Sequence, residues 1–342
     1  MVERPGRRLT LVDVAQAAGV SKALVSIVMR GVPGASDETR ERVLRIADEM
    51  GYVPDQRARK LRQSSSRLLG VTFELREPFH GDLVEEIYRE AAEAGYDVVI
   101  SAVAPSRSEK TALDTVVRER CEAVIMLGSR LDDTALAAFS ARLPVIVVAR
   151  GTGVDSVGVV RSDDTAGIGL AVNHLVDLGH REILHVDGGD APGAAERRAG
   201  FRDAMTSGGR IGVPRIVQGG LGQIDGARAM RDVLDHGTRP TAVVAFNDDC
   251  ATGVIDTIIR SGLRVPEDVS VVGYDDARLA SSAQVPLTTI SQDARELASD
   301  AVSGALAMIG GGATPAIIRR PYLVVRGTTA SVHPVLRGPG PS

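Results

Sequence analysis

The sequence predicts a small three-helix head followed by an α/β body built from two doubly wound parallel sheets. Short helical stretches with capping residues occupy residues 9–50, whereas apolar runs rich in Val and Ile begin near residue 68. These runs alternate with amphipathic stretches of helical period, a pattern typical of parallel strands that helices cover on both faces. At least seven runs follow one another, which favours two subdomains over one. The predicted strands are Gly70–Leu75, Asp97–Ser101, Ala123–Leu127, Val145–Ala149, Ile183–Asp187, Ala242–Phe246 and Val269–Tyr274, and the clearest helices between them are Leu83–Ala94, Ala166–Leu178 and Ala251–Ser261.

The head divides into three helices because capping residues and glycines punctuate it. Thr10 followed by Asp13 resembles a capping box, and serine is a preferred N-cap residue. Glycine supplies the positive φ on which helices commonly end. The predicted helices cover residues 11–18, 22–30 and 37–50, with Ser21 and Ser36 as the later caps and with Gly19 and Gly51 as terminators.

A helix-turn-helix is indicated by the spacing of Ala15, Gly19 and Val25, which suits the crossing of two helices. Two helices packed in any small domain would show the same triplet, so charge is needed to separate the alternatives. Residues 1–67 carry 13 basic and 8 acidic side chains, a net charge of +5, although the whole chain has a net charge of −4. This asymmetry favours a DNA-binding module joined to an acidic body, with a merely solvated basic surface as the alternative.

The segment 54–62 has one large apolar residue, Leu61, among basic and amide side chains. No core can be built on it, so we expect it to be weakly helical unless another surface supports it. Residues 64–66 are serines and predict a flexible link. Pro and Gly break any periodic pattern near the ends, so we expect residues 1–8 to form a loose arm and residues 334–342 a disordered tail.

Several function classes are disfavoured by the sequence. It contains no Walker loop, no Gly-x-Ser-x-Gly elbow and no His-Glu-x-x-His motif. His174, His180 and His185 are not spaced for a metal cluster on one helical face, so we expect no metal and no cofactor. Cys121 and Cys250 alone form neither a disulfide framework nor a zinc site, and we interpret them as buried free thiols in a reducing cytosol.

Composition and targeting signals point the same way. The chain is 44% hydrophobic and 25% charged, which excludes wholesale disorder. No apolar run approaches the roughly 18 residues that span a bilayer. The basic start has no apolar segment behind it, so it is not a secretory signal. We therefore expect a cytoplasmic protein without membrane contact.

The stretch from Leu9 to Gly31 resembles the N-terminus of the lactose-repressor/galactose-repressor (LacI/GalR) family of bacterial transcription regulators. Ser36–Val43 and Gly51–Pro54 continue the resemblance, which covers nearly every position from 9 to 61. The body resembles the same family through segments that recur in order: Asp163–Gly167, His174–His180, Arg197–Phe201, Ala245–Asp248, Val265–Asp276 and Pro286–Ile290. The resemblance implies a helix-turn-helix head, a hinge helix and a body similar to periplasmic sugar-binding proteins.

The resemblance also implies that the second helix of the head reads an operator in the major groove. Phosphate contacts set the register, while the few side chains that face the groove specify sequence. The residues expected to face bases or phosphates are Ser21, Lys22, Ala23, Ser26 and Arg30, and those expected to help hold the DNA backbone are Leu11, Ser36, Thr39 and Tyr52.

This chain departs from the usual family pattern at two positions of the second helix. Ile27 stands where Arg is common, and it cannot hydrogen-bond a guanine or a phosphate, so we expect an operator sequence of its own. Leu24 stands where Thr is common. It either adds helix packing or contacts a thymine methyl group.

Residues 54–62 resemble the hinge helix of the family, which orders on DNA where two copies meet. Leu61 occupies the position of the leucine wedged into the minor groove, and Ala58 the small-residue position at the helix contact. Asp55 replaces a common Asn, and we interpret it as a cap of the hinge helix. A linker leucine buried against the body is the alternative for Leu61.

The resemblance implies three domains. Residues 1–52 form the DNA-binding head, 53–67 the hinge helix and linker, and 68–333 the ligand-binding and dimerisation domain. We expect the chain to cross between two subdomains near residues 162, 291 and 321. The N-subdomain then comprises about 68–162 and 292–321, and the C-subdomain about 163–291 and 322–333.

Three polar residues carry over as ligand contacts between the subdomains. Arg197 is expected to donate a bidentate fork, Asn247 to offer a donor and an acceptor, and Asp275 to accept hydroxyl or amine protons. A salt bridge between Arg197 and Asp275 across the cleft is the alternative. Asp248 and Asp276 are interpreted as structural caps.

The other ligand-facing positions are less typical of the family. Phe79 and Phe246 are the chief aromatic candidates for stacking on a ligand. His80 and Leu221 replace aromatic residues, and Arg150 is expected to line the neighbouring strand end. His80 and Arg150 together suggest an anionic ligand.

The sequence thus predicts a homodimeric transcription regulator, more often a repressor in this family, that binds a near-palindromic duplex. A sugar or related metabolite in the cleft would control operator affinity. A solute receptor for transport is one alternative. An α/β oxidoreductase or sugar-modifying enzyme with an accessory helical head is another, although no acid–base pair or cofactor loop is visible.

Overall fold

The computed structural model describes residues 9–29, 31–52, 65–207, 213–237, 239–282 and 286–332. It divides the chain into two compact units, Met1–Ser66 and Arg67–Ser342, which correspond to the head and the body. Arg30 and the predicted hinge residues Asp55, Ala58 and Leu61 lie outside the described residues.

The head contains the three predicted helices, and its caps explain where they begin. They are α1 (Leu11–Ala18), α2 (Lys22–Met29) and α3 (Asp37–Glu49). Asp13 accepts a hydrogen bond of 2.7 Å from the backbone N–H of Thr10. The hydroxyl oxygens of Ser21 and Ser36 accept from the backbone N–H groups of Leu24 and Thr39 at 3.2 and 3.4 Å.

The helix-turn-helix depends on a turn and a small core. Gly19 has a φ of 63°, which a residue with a Cβ rarely adopts, and the axes of α1 and α2 differ by 105°. Ala15 is 6% exposed and Val25 is fully buried. They belong to one core drawn from all three helices: Val14, Ala15, Ala18, Val25, Val28, Val43 and Ala47. The head is therefore a packed three-helix unit.

The body is two six-stranded sheets, and each defines a lobe. The first sheet is entirely parallel, in the order β2-β1-β3-β4-β5-β11. Its strands are β1 (Leu68–Glu74), β2 (Asp97–Val103), β3 (Ala123–Leu127), β4 (Val145–Val148), β5 (Val157–Ser162) and β11 (Ala316–Arg319), and its helices are α4 (Pro78–Glu93), α5 (Glu109–Arg118), α6 (Asp133–Ser140) and α12 (Ala294–Ile309).

The second sheet has the order β7-β6-β8-β9-β10-β12 and is parallel except for its edge strand β12. Its strands are β6 (Ile183–Asp187), β7 (Arg215–Gln218), β8 (Ala242–Ala245), β9 (Ser270–Asp275), β10 (Thr288–Ser291) and β12 (Tyr322–Val324), and its helices are α7 (Asp164–Asp177), α8 (Ala194–Thr206), α9 (Gln223–Asp235), α10 (Asp248–Arg260) and α11 (Arg278–Ser282).

Buried residues explain why each sheet is covered on both faces. In the first lobe, apolar side chains of α4 and α12 pack on one face of the sheet, and those of α5 and α6 on the other. In the second lobe, α9 and α10 pack on one face, and α7 and α8 on the other. The predicted fold class, a helical head with two doubly wound parallel-sheet subdomains, is confirmed.

The chain passes between the lobes three times. It leaves the first sheet after Ser162, returns after Ser291, and passes from Arg319 at the end of β11 to Tyr322 at the start of β12. Helix α12 therefore belongs to the first lobe although most of the second lobe precedes it. These crossings place the carboxyl ends of strands from both sheets beside one cleft.

Five strands lie outside the seven apolar runs recognised in the sequence, namely β5, β7, β10, β11 and β12. They have three to six residues, and several mix polar with apolar side chains. In the structure, the three clearest predicted helices also begin two to five residues before the start that their apolar pattern predicts. For example, α4 starts at Pro78 rather than Leu83, because proline is well accommodated in the first turn.

Candidate functional site

A cavity of about 700 Å³, including its open mouth, lies between the two lobes of the body. Both lobes contribute to its wall, since parallel α/β sheets place their binding residues beyond the carboxyl ends of the strands. Its principal side chains are Glu77, Phe79 and His80 from the first lobe and Arg197, Asn247 and Asp275 from the second.

Arg197 is held by the second lobe itself. Its Nε donates to Oδ1 of Asp164 at 2.9 Å, and Nη1 donates to the carbonyl oxygen of Phe246 at 2.6 Å. The guanidinium carbon also lies 3.6 Å from the ring centroid of Tyr274. Only 4% of Arg197 is exposed. These contacts use the N–H of Nε and one N–H of Nη1, and a bidentate contact of Arg197 with a ligand stays a prediction.

The salt-bridge alternative for Arg197 is partly correct. Nη2 lies 3.7 Å from Oδ1 of Asp275, which is an ion pair beyond hydrogen-bond distance. Both residues belong to the second lobe, however, so this pair does not cross the cleft. The main anionic partner of Arg197 is Asp164, which is 3% exposed at the start of α7.

Asp275 ends β9 with a φ of 107°, a backbone conformation that side chains other than glycine rarely adopt. Its Oδ1 accepts a hydrogen bond of 2.6 Å from Nε2 of Gln292. Burial raises the pKa of Asp275 to about 7, while Arg197 opposes that rise. The strained position holds the carboxyl against the cavity.

Asn247, rather than the predicted Asp248, is the cap of α10. Its Oδ1 accepts from the backbone N–H of Cys250 at 2.8 Å. Asp248 instead accepts from the hydroxyl of Thr289 at 2.6 Å and from the backbone N–H of Ala277 at 2.8 Å, which ties together β10 and the end of β9. With its oxygen used as a cap, Asn247 turns its amide nitrogen toward the first lobe.

The hydrogen-bond acceptor for this amide nitrogen is Glu77, a residue that was not predicted from the sequence. Its Oε1 accepts a hydrogen bond of 3.1 Å from Nδ2 of Asn247, which joins the two lobes across the cavity. Burial, followed by the charge of Asp275, raises the pKa of Glu77 to about 8. The only sequence signal was its place before Pro78, at the N-cap of α4.

The aromatic wall follows the prediction in part. Phe79 and Phe246 are each 4% exposed, and both line the cavity together with Leu221. Arg197 covers Phe246, its guanidinium carbon lying 4.5 Å from the ring centroid. Phe79 is therefore the aromatic residue that the first lobe contributes to this wall.

His80 lines the cavity as a neutral ring. Its Nδ1 accepts a hydrogen bond of 3.1 Å from the backbone N–H of Glu74, so the ring carries its proton on Nε2. Burial lowers the pKa of His80 to about 4. His80 therefore supplies a hydrogen-bond donor and no positive charge.

The prediction that Arg150 lines the cavity is wrong. Its guanidinium donates to the carbonyl oxygens of Ser129 and Leu131 at 3.0 and 2.7 Å and lies 3.6 Å from Asp133. Arg150 follows Ala149, which has a φ of 64° and itself lines the cavity. With Arg150 elsewhere and His80 neutral, the two groups that suggested an anionic ligand do not provide positive charge.

Further contacts tie the lobes together at the cleft. Arg278 of α11 donates from Nε to Oδ1 of Asp82 at 2.9 Å, and its Nη1 lies 3.0 Å from Glu85. Both acidic residues belong to α4 of the first lobe. At the chain crossings, Gln292 accepts a short hydrogen bond from Ser162. Side-chain contacts thus join the two lobes at more than one place.

In the head, the residues expected to contact DNA concentrate at the start of α2. Ser21, Lys22 and Ala23 are exposed there, while Leu24 and Ser26 are half-buried. Ile27 is also half-buried and lies near the loop that follows α2: a Cβ added to Gly34 would be 3.4 Å from its Cγ2.

The residues expected to hold the DNA backbone also have structural roles. Ser36 and Thr39 form the start of α3, where their hydroxyl oxygens are 2.9 Å apart. Leu11 and Tyr52 are half-buried and pack against the head core. Leu11 is the first residue of α1, where backbone N–H groups are available to a phosphate, whereas Tyr52 follows the C-terminal end of α3 and its own N–H donates to the carbonyl oxygen of Ala47 at 2.8 Å.

Neither metal chemistry nor a membrane span finds support in the described residues. They contain no cluster of three or more His, Cys, Asp or Glu side chains that could hold a metal ion. Among them, no single helix has the length and apolar character to cross a membrane. The pair α1 and α2 reaches that length only jointly, with its bend of 105°.

A helix-turn-helix head joined to a two-lobed body with a cavity between its lobes defines a class: DNA-binding transcription regulators with a receptor domain. Comparison with known proteins agrees. Residues 10–55 match the profile of bacterial regulatory proteins of the lacI family, and residues 172–329 match the profile of the periplasmic binding protein-like domain.

Relatives extend the match over nearly the whole chain. The HTH-type transcriptional regulator DegA of Bacillus subtilis is 30% identical over 336 residues, covering 95% of this chain and 99% of DegA. A crystal structure of a LacI transcriptional regulator from a Rhodococcus species is 56% identical, with a TM-score of 0.75, and covers 78% of this chain and 99% of its own.

A structure of the Lac repressor dimer bound to operator and the anti-inducer ONPF is 32% identical to this chain. Its TM-score is 0.79, and the match covers 95% of this chain and 100% of that one. The chain belongs to the lacI family of bacterial regulatory proteins. It is a DNA-binding transcription regulator and not an enzyme, so the oxidoreductase alternative is dropped.

Proposed function

We propose that this chain is a homodimeric repressor whose affinity for a near-palindromic operator is set by a sugar or related metabolite in the cleft. The observation that carries the proposal is the cavity with walls from both lobes, bridged by the hydrogen bond between Asn247 and Glu77. A ligand that replaces or strengthens this bridge changes the angle between the lobes, because the chain crosses there three times.

The Lac repressor structure supports the remaining parts of the proposal, since it is a dimer with operator and anti-inducer bound. By analogy, the exposed start of α2 contacts bases, Leu61 wedges into the minor groove, and the head comprises residues 1–52. The ligand-binding and dimerisation domain comprises 68–333, linked through 53–67. The operator that such a repressor reads lies in the cytoplasm, where we place the chain.

Exposed apolar side chains support self-association of the body. Tyr88 and Ile100 are 43% and 46% exposed on α4 and on the edge strand β2. In the second lobe, Ile224 and Ile259 are 84% and 52% exposed on the neighbouring helices α9 and α10. Contact with a second copy would remove these side chains from water.

Operator selection followed by a mobility-shift titration tests the proposal. One duplex chosen from a random pool should bind far more tightly than random DNA, with log affinity falling linearly against log salt. Lys22→Ala should weaken binding and reduce the salt slope by about 1. Lys110→Ala, which removes an exposed lysine from α5 in the body, is the matched control and should bind as the unaltered chain does. Equal affinity for every duplex would refute sequence-specific repression.

A further inference from the structure

We infer that the cleft of this chain selects a ligand carrying a protonated amine, and that Glu77 is the carboxylate that recognises it. The inference rests on the proposed function and deepens it by naming the chemical class of the ligand. Its basis is the distribution of charge around the cavity, together with the position of Glu77 opposite the polar groups of the second lobe.

More carboxyl groups than cations are buried at the cavity. Glu77 and Asp275 line it from opposite lobes. The buried cation beside them, Arg197, is already paired with Asp164 at 2.9 Å. Three carboxyl groups therefore share one guanidinium. Burying charge without a partner is costly, so this group of four side chains favours a cation between the lobes.

No other described residue of the cavity wall supplies that cation inside it. The other basic residue there, Arg130, is exposed rather than buried. His80 is neutral because its Nδ1 accepts a backbone hydrogen bond. A ligand cation would therefore supply the partner that the buried carboxyl groups lack.

Glu77 is the carboxylate best placed to meet a ligand cation. One oxygen accepts from Asn247 at 3.1 Å, and the residue begins α4 without capping it by a side-chain hydrogen bond. Burial and Asp275 raise the pKa of Glu77, so it holds a proton in the ligand-free cleft near neutral pH. An ammonium group there would favour the ionised carboxylate, and the proton would pass to the buffer.

A hydroxyl group would satisfy the cleft less well than an amine. Both donate hydrogen bonds to carboxyl oxygens, but a hydroxyl brings no positive charge to the buried carboxyl groups. An ammonium group offers three donors together with the balancing charge. The apolar wall formed by Phe79, Leu221 and Phe246 would hold the carbon framework of the same molecule.

Isothermal titration calorimetry on the full-length chain tests the inference with matched probes. The probes are glucose, glucosamine and N-acetylglucosamine, and the same three forms of galactose and mannose, at pH 6.5, where the amines are protonated. We expect an amine to bind at least tenfold more tightly than its parent sugar and its uncharged N-acetyl form. Titration in two buffers of different ionisation enthalpy should show proton release for the amine.

Glu77→Gln separates charge from shape, because the amide keeps an oxygen for Asn247. It should weaken amine binding by about tenfold to a hundredfold and abolish the proton release, with little effect on any neutral sugar that binds. Glu77→Asp should retain the preference for amines. Glu93→Gln, on the same helix outside the cavity wall, is the matched control, and melting temperatures establish that each variant is folded.

Three results would overturn the inference: a parent sugar that binds as tightly as its amine, an equal loss of amine and neutral binding in Glu77→Gln, or no amine binding at millimolar concentration. None of them bears on operator selection by the same preparation. Loss of sequence-specific DNA binding would refute the proposed function, so the two failures are distinguishable.

Discussion

The closest approach of two helices in the second lobe gives a sharp prediction about stability. A Cβ added to Gly253 of α10 would lie 1.9 Å from the backbone carbonyl oxygen of Gln223 in α9. Real Cβ atoms essentially never come within 3.0 Å of another heavy atom, so the helices would have to separate by about 1 Å. Overpacking costs about 1–3 kcal/mol, and a backbone clash that no side-chain rotation relieves belongs at the upper end. We expect Gly253→Ala to destabilise the body by about 3 kcal/mol.

Thermal unfolding of the full chain, followed by circular dichroism, measures this effect. For a body of this size, about 3 kcal/mol lowers the melting temperature by roughly 6–12 °C. Gly169→Ala is the matched control, because a Cβ at this position of α7 meets nothing within 4 Å. That change should stabilise by about 0.5–1 kcal/mol through better helix propensity. If Gly253→Ala melted within 2 °C of the unaltered chain, the close contact of α9 and α10 would be wrong.

Three further predictions concern the cleft and the hinge. Burial raises the pKa of Glu77 from 4.5 to about 8, so the folded state binds an extra proton between these values, and stability falls as pH rises through them. The free energy of unfolding of Glu77→Gln, measured relative to that of the unaltered chain, should therefore rise as the pH increases from 5 to 8. A difference that stays constant over this pH range in urea unfolding would contradict the prediction. Arg278→Ala removes an exposed ion pair with Asp82, which should lower the stability of the contact between the lobes by about 1 kcal/mol or less. X-ray scattering should then show a slightly larger radius of gyration, and a smaller radius would contradict the prediction. Leu61→Ala should weaken operator binding while sparing ligand affinity, and an unchanged operator affinity would count against the wedge.

Local signals predicted the head almost completely. Capping and turn chemistry depend on neighbours three or four residues away, so Thr10 and Ser36 mark helix starts without knowledge of the tertiary structure. The first helix was predicted with its observed bounds, Leu11–Ala18, and the third differs by one residue at its end. Long apolar runs in the body were equally clear, because strands buried on both faces need no polar alternation.

Strand β10 shows why other elements were missed. Its residues Thr288–Ser291 are all buried although three of the four are polar. The hydroxyl groups of Thr288 and Thr289 find partners far along the chain, in Thr329 and Asp248. A buried hydroxyl costs little when it is hydrogen-bonded, but the partner is invisible in a single sequence. Polar strands of this kind therefore resemble loops in the sequence, because the tertiary partners that allow them to be buried are not known.

The site shows the same division between local and distant information. Arg197, Asn247 and Asp275 were recognised by resemblance, and all three line the cavity. The tertiary partners of Arg197 and of Arg150 follow from packing rather than from the sequence pattern. Glu77 acquires its meaning only when the second lobe brings Asn247 within 3.1 Å.

The cleft and the chain crossings are joined by one side chain. Gln292 immediately follows β10, at the second crossing between the lobes. Its amide nitrogen donates to Asp275 in the cavity at 2.6 Å, and its amide oxygen accepts from Ser162 at the first crossing. Gln292 and Ser162 are 2% and 0% exposed, so neither hydrogen bond can be exchanged for water without opening the structure. A ligand that draws Asp275 away from Gln292 therefore acts directly on two of the three segments about which the lobes turn.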